Sequence, residues 1–249
     1  AAANALCEEI EEEGATLLKN EDNALPLKKG SKISVFGKAS YGNDSKRFNY
    51  DGRIQGASAS SPWSLDGNRR VTFTDALMNV GNLQLNPKLM EFYDNNSLSG
   101  EGAVNTGDAK SGETPVSSYS KMQGLEDSYS EYSEAAIVVF SRNGGEGSDL
   151  ARKGQPGGND GKRVDTDHYL QLDKNEAELL KYVGDRFDKV IVLLNMGTSF
   201  ECGFLDDPNH YGYHENIKAA LNIGAPGAKG CNGLARILVG DVNPSGRTI

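Results

Sequence analysis

The chain has 249 residues with a formal net charge of −9, 37% hydrophobic and 24% charged residues. This composition is that of an ordinary globular protein with enough chain for one substantial core, and it excludes a disordered polymer. An acidic surface without a compensating Lys/Arg cluster repels phosphate backbones, so nucleic acid is not an expected partner. No apolar run approaches the length of a membrane span.

The predicted elements follow in chain order. Cys7 to Lys19 sets Ile10, Leu17 and Leu18 among glutamates, which predicts an amphipathic helix with an acid-rich first half. Asn20 to Gly30 carries Asn, Asp, Pro26 and a final glycine and reads as a turn region. Ser31 to Gly37 (SKISVFG) is a buried strand closed by glycine. Lys38 to Arg70 loses periodicity and holds the only tryptophan, Trp63. A loop this long inside a domain is usually functional or mobile. Thr74 is expected to cap a helix through Val80, and Pro87 opens another through Tyr93. Ser97 to Gln123 is polar and reads as loop. Glu126 to Tyr132 is expected to be helical, Ala135 to Ser141 (AAIVVFS) a buried strand, and Arg142 to Tyr169 a glycine-rich loop. Asp173 caps a helix through Phe187; Lys189 to Asn195 and Lys218 to Gly224 are two more apolar strands; Asn232 to Val239 is helical.

Apolar strands alternating with helices predict an α/β fold with a parallel sheet covered on both faces. Ligands bind outside the carboxyl ends of such strands. The loops that start at Lys38, Arg142, Met196 and Ala225 all leave those ends and should share one rim.

Within these loops, Ser141 to Asp149 (SRNGGEGSD) directly follows a buried strand, so Glu146 falls at the rim between glycines that leave its carboxyl unobstructed. Partial desolvation of such a group raises its pKa towards what a general acid near neutral pH requires. A solvated loop glutamate is the competing reading. Asp149 and Arg152 could pair or bind hydroxyls, and Trp63 could stack on a sugar face or serve as a packing anchor. The Lys153 to Arg163 loop lacks P-loop order, and neither Gly37-Lys38 nor Gly224 to Gly230 forms GxGxxG. No GxSxG elbow is present. His210 and His214 are four apart, but Pro208 and Gly212 argue for a loop there rather than a metal-binding helix face. His168 lies near the end of the Glu146 loop and could line the same cleft, although a plain surface histidine is the favoured reading. Cys7, Cys202 and Cys231 are odd in number and far apart, which argues against a disulfide framework or a zinc site and favours a reducing, cytoplasmic setting. No cofactor and no metal are expected.

Glu13 to Glu21 (EGATLLKNE), Leu25-Pro26-Leu27, Ile33 to Gly37, Ser141 to Asp149, Val190 to Asn195 and Gly240 to Arg247 together resemble the second domain of family 3 glycoside hydrolases. They run in that family's order along nearly the whole chain. The resemblance implies a three-layer (α/β)6 sandwich with a mostly parallel six-stranded sheet, spanning 1–249 as one C-terminal-type domain. It implies that Glu146 is the acid/base of a retaining, β-glucosidase-like glycosidase acting on terminal β-linked sugars. Asp149, Arg142 and Trp63, from their places beside Glu146 and on the loop after Gly37, are the candidate substrate-binding residues; that loop is longer here than the family's usual compact glycine-serine run. The Gly-Gly-Glu-Gly form and the ending Gly246 to Ile249 are similar to the domain-inverted branch. The family's nucleophile is an aspartate on a TIM-barrel domain that this chain does not carry. The implied partners are therefore a β-glycoside and a barrel, in the same or another polypeptide, without which the chain is expected to be inactive. Two other readings stay open. One is a non-catalytic sugar-binding or structural module, which calorimetry with glucose, xylose and cellobiose would test. The other is a Rossmann-like nucleotide binder, which would show a thermal shift with nucleotides.

Overall fold

The computed structural model describes residues 2–41, 71–94, 109–110, 113–143 and 170–248. Its centre is a sheet of strands β1 (Thr16–Asn20), β2 (Lys32–Phe36), β3 (Gln84–Leu85), β4 (Ala109–Lys110), β5 (Ala135–Asn143), β6 (Val190–Met196) and β7 (Ile217–Asn222). Six of them lie in the order β1-β7-β6-β5-β2-β3, and the two-residue β4 pairs only with the far end of β5, where β5 outruns β2. The pairs β3–β2, β2–β5, β5–β6 and β6–β7 are parallel. The edge strand β1 is antiparallel to β7 with a register shift between Leu17 and Lys19. The helices are α1 (Ala2–Gly14), α2 (Phe73–Asn79), α3 (Pro87–Asp94), α4 (Lys174–Gly184) and α5 (Gly230–Leu238). This is the expected helix-covered, mostly parallel α/β sandwich.

Burial explains the architecture. All seven residues of β6 are buried, as are Ala135 to Phe140 of β5, so both faces of the central strands are covered. Helices α1 and α2 each pack on α5, whereas α4 lies against β5 and α3 against β2. An aromatic group of Phe36, Phe92, Tyr93, Tyr119, Tyr129 and Phe187 fills the space beside β2, in edge and stacked contacts that add to their area burial.

Several local expectations need correction. The helix predicted over 7–19 ends at Gly14, and Thr16 to Asn20 is strand β1 instead. Leu17 and Leu18 fit either period, and pairing with the exposed side of β7 decides for the strand. The capping residue of α2 is Thr72, whose Oγ1 accepts from the Asp75 N–H at 3.1 Å; Thr74 lies inside the first turn. The helix expected over 126–132 is a 3-10 turn, Glu126–Ser130, and the stretch read as loop contains another, Val116–Lys121, which buries Tyr119. Asp173, by contrast, is the predicted cap: it closes a capping box with Glu176. No helix among the described residues is long and apolar enough to cross a membrane.

Candidate active site

The chain runs from β2 outwards to β3, then returns to β5 on the opposite side of β2 and continues to β6 and β7. The strand order therefore reverses between β2 and β5, and the crevice outside their carboxyl ends is where a doubly wound sheet takes its ligand. Two strands end there: β2, which is followed by Gly37-Lys38, and β5, which closes at Asn143.

The floor of this crevice is built from buried polar groups. At the end of β5, Arg142 is 3% exposed, and its guanidinium donates from both terminal nitrogens to the two oxygens of Glu176, at 2.5 and 2.7 Å. It also donates to the carbonyls of Ser141 and Gln171 and lies 5.1 Å from the Phe200 ring. Glu176 in turn accepts from the Asp173 N–H at 2.8 Å, so one carboxylate closes the cap of α4 and holds the end of β5. Ser141 Oγ donates to Asn195 Oδ1 at 2.9 Å, and Asn195 Nδ2 donates to the Gly224 carbonyl, which links the ends of β5, β6 and β7.

On the β2 side stands Glu113, from the polar stretch 97–123, which carries no local sign of a site. Its carboxylate is 2% exposed and accepts from the Lys38 and Thr114 N–H groups, at 3.1 and 2.7 Å. Lys38 is itself buried. Burial is the main cause that pushes the Glu113 carboxyl up to about 8, with Glu176 and Asp173 adding repulsion and the two N–H groups opposing. Nothing in the local pattern of Ser-Gly-Glu-Thr-Pro marks this residue, because its burial depends on the return of 113–121 over the rim.

Glu113 supports a prediction. Its folded pKa lies above the ordinary carboxyl value of 4.5, so the folded state holds a proton that the unfolded state releases. Stability contributed by the neutral form is complete below about pH 4.5, is lost as pH rises to 8, and levels off above. Glu113→Gln should flatten this part of the pH–stability curve and remove about 2–4 kcal/mol of the decline. Urea titrations at pH 5 and pH 8.5 check it: equal slopes in both proteins would refute the assignment.

Of the residues singled out in the sequence, Arg142 is brought to the floor of the crevice, with its head group engaged by Glu176. Glu146, Asp149 and Trp63 lie outside the described residues, as do Arg152, His168 and the 153–163 loop. His210 stacks on Tyr211, and His214 Nε2 lies 3.3 Å from Asp185, so the two serve separate neighbours. Among the described residues, no group of three or more His, Cys, Asp or Glu could hold a metal ion. Cys7, Cys202 and Cys231 are all free.

A doubly wound sheet with buried polar groups near its strand-order reversal places the protein in the α/β class whose ligand sites lie outside the carboxyl ends of the strands. Residues 15–248 match the Glycosyl hydrolase family 3 C-terminal domain. The chain belongs to that family. It is 27% identical over 243 residues to a beta-glucosidase of Ruminococcus albus, covering 96% of this chain and 22% of that protein. It is 28% identical to the probable beta-glucosidase D of Emericella nidulans, covering 93% of this chain and 26% of that one. Among solved structures, beta-glucosidase 3B from Thermotoga neapolitana in complex with glucose superposes with a TM-score of 0.63 at 23% identity, over 95% of this chain and 29% of that one. The Paenibacillus barengoltzii beta-glucosidase gives 0.62 at 23% identity, over 97% and 23%. The chain thus spans about a quarter of the length of the relatives it matches.

Proposed function

We propose that this chain supplies the general acid/base of a retaining, β-glucosidase-like glycosidase, and that Glu146 is that residue. The observation that carries this reading is the family match over residues 15–248, joined to topology: the segment holding Gly144-Gly145-Glu146-Gly147 leaves β5 at the strand-order reversal. Asp149 and Trp63 are proposed to face the sugar. Arg142 can serve it too, through the backbone that its pairing with Glu176 fixes.

Retaining hydrolysis needs two carboxyl groups about 5–5.5 Å apart. One attacks the anomeric carbon as the leaving oxygen takes a proton from the other, which then removes a proton from water as the glycosyl ester is cleaved. Glu146 takes the second role. The nucleophile would come from a barrel domain in the same or a partner polypeptide, in keeping with the fourfold greater length of the relatives. The chain by itself is then expected to be inactive.

The test uses the complete enzyme. Glu146→Gln should lower kcat/KM about a hundredfold or more on alkyl β-glucosides, whose leaving groups need a proton. Nitrophenyl β-glucoside should suffer much less, and azide should restore turnover as a β-glucosyl azide. Equal losses on both substrates without azide rescue would remove Glu146 from the role and favour a non-catalytic module.

A further inference from the structure

Helix α1 docks the wrong way round for an amphipathic helix. Its apolar residues Leu6 and Ile10 are 56% and 63% exposed, and its one buried residue is a glutamate, Glu11, at 5%. Glu11 lies in the α1–α5 contact, over a saddle made by two glycines of α5. A Cβ on Gly230 would come within 3.1 Å of the Glu11 Cβ, and one on Gly233 within 2.6 Å of the Glu8 carbonyl oxygen. The two helices are therefore in backbone-close contact at the point where the carboxyl is enclosed. Its Oε1 has no hydrogen-bond partner among the described residues.

We propose that Glu11 is the catch of a proton-controlled arm: with its carboxyl neutral, α1 closes on α5, and with its carboxyl ionised, α1 is driven off. An unpaired carboxylate in this saddle carries a desolvation cost that neither helix relieves. The titratable and charged groups facing it among the described residues are Cys7, Glu8 and Glu12 on α1, and Cys231 and Arg236 on α5, with Lys229 at the start of that helix. Arg236 is engaged by Glu8 and Glu12, at 2.7 and 2.6 Å, and Glu8 also accepts from Asn232. The buried Cys231 thiol is pushed up to about 12 and stays neutral throughout the range concerned. Burial alone pushes the Glu11 carboxyl up to about 8.

The sign follows. The closed form keeps a proton that the open form releases, so closure is strongest below about pH 4.5, weakens as pH rises to 8, and changes little above. Opening would expose the Gly230–Gly233 face of α5 together with Cys231. This inference stands apart from the hydrolase reading, since it concerns the face of α5 rather than the rim.

Hydrogen exchange on the full chain tests it. Protection factors of amides in residues 3–14 should fall on the order of a hundredfold between pH 5 and pH 9. In Glu11→Gln they should stay level, while in both proteins the β6 amides, which exchange only on global opening, stay better protected than α1. Glu11→Met, which also lacks the titrating group, should behave like Glu11→Gln and serves if the amide variant does not fold. The proposal is overturned if α1 protection falls alike in wild type and variants, or if the α1 and β6 amides of the wild type are equally protected at pH 9.

Discussion

Arg142→Met should unfold more readily than the wild type by about 3–5 kcal/mol, because it leaves Glu176 as a buried charge without its cation. The Glu176 side chain is 0% exposed and that of Arg142 1%, so water cannot take the place of the guanidinium. The Asp173 N–H would remain as a partner, but a neutral donor does not offset the lost ion pair and its two charge-assisted bonds. In a domain of this size the loss corresponds to a drop in Tm of roughly 10 °C. The double variant Arg142→Met/Glu176→Gln should recover most of it. The glutamine oxygen still accepts from the Asp173 N–H, and neither position of the pair carries a charge. Denaturant titrations of the three proteins settle the matter. If the single variant costs less than about 1 kcal/mol, the pair does not hold the end of β5 as described.

Gly37→Ala should be nearly as damaging, by about 3 kcal/mol or more, for reasons of backbone rather than charge. Gly37 closes β2 at φ 96° and ψ 131°, a conformation that side-chain-bearing residues rarely adopt. An added Cβ would lie 2.4 Å from the carbonyl oxygen of Val139, in the neighbouring strand β5. Strands β2 and β5 flank the strand-order reversal, so relief of the clash must part them where the crevice begins. It would also disturb the Gly37 N–H donated to Tyr93 at 2.8 Å. Gly124 provides the control. Its φ is also positive, at 73°, but nothing lies within 4 Å of its would-be Cβ, so Gly124→Ala should cost only the backbone term, about 1 kcal/mol. Thermal melts of both variants separate the two contributions. Equal losses would mean that crowding against Val139 is not the cause.

These two residues also show how the sequence and the fold divide the information. Ser31 to Gly37 announces a buried strand with a glycine stop, and that is where β2 ends. What a local pattern does not convey is that the stop is crowded by a strand a hundred residues later. Arg142 was legible as a residue next to the Glu146 segment, but its pairing with Glu176 depends on α4 returning its first turn to the end of β5. Glu113 and Glu11 were not legible as buried at all. Each is a glutamate among polar or acidic neighbours, and only long-range packing removes them from water. The reverse error at Thr16 to Asn20 has the same origin: two leucines serve a helix or a strand equally, until a neighbouring edge offers its hydrogen bonds.

The sequence by itself determined the α/β class, the central strands, the cap at Asp173, the start of α3 at Pro87 and the family, because these follow from short-range periodicity and from motif order along the chain. The tertiary structure alone decided which strands lie side by side, where their order reverses, and which charged groups lose their water. Those outcomes depend on contacts between residues far apart in the chain, and a desolvation cost exists only once both partners have arrived.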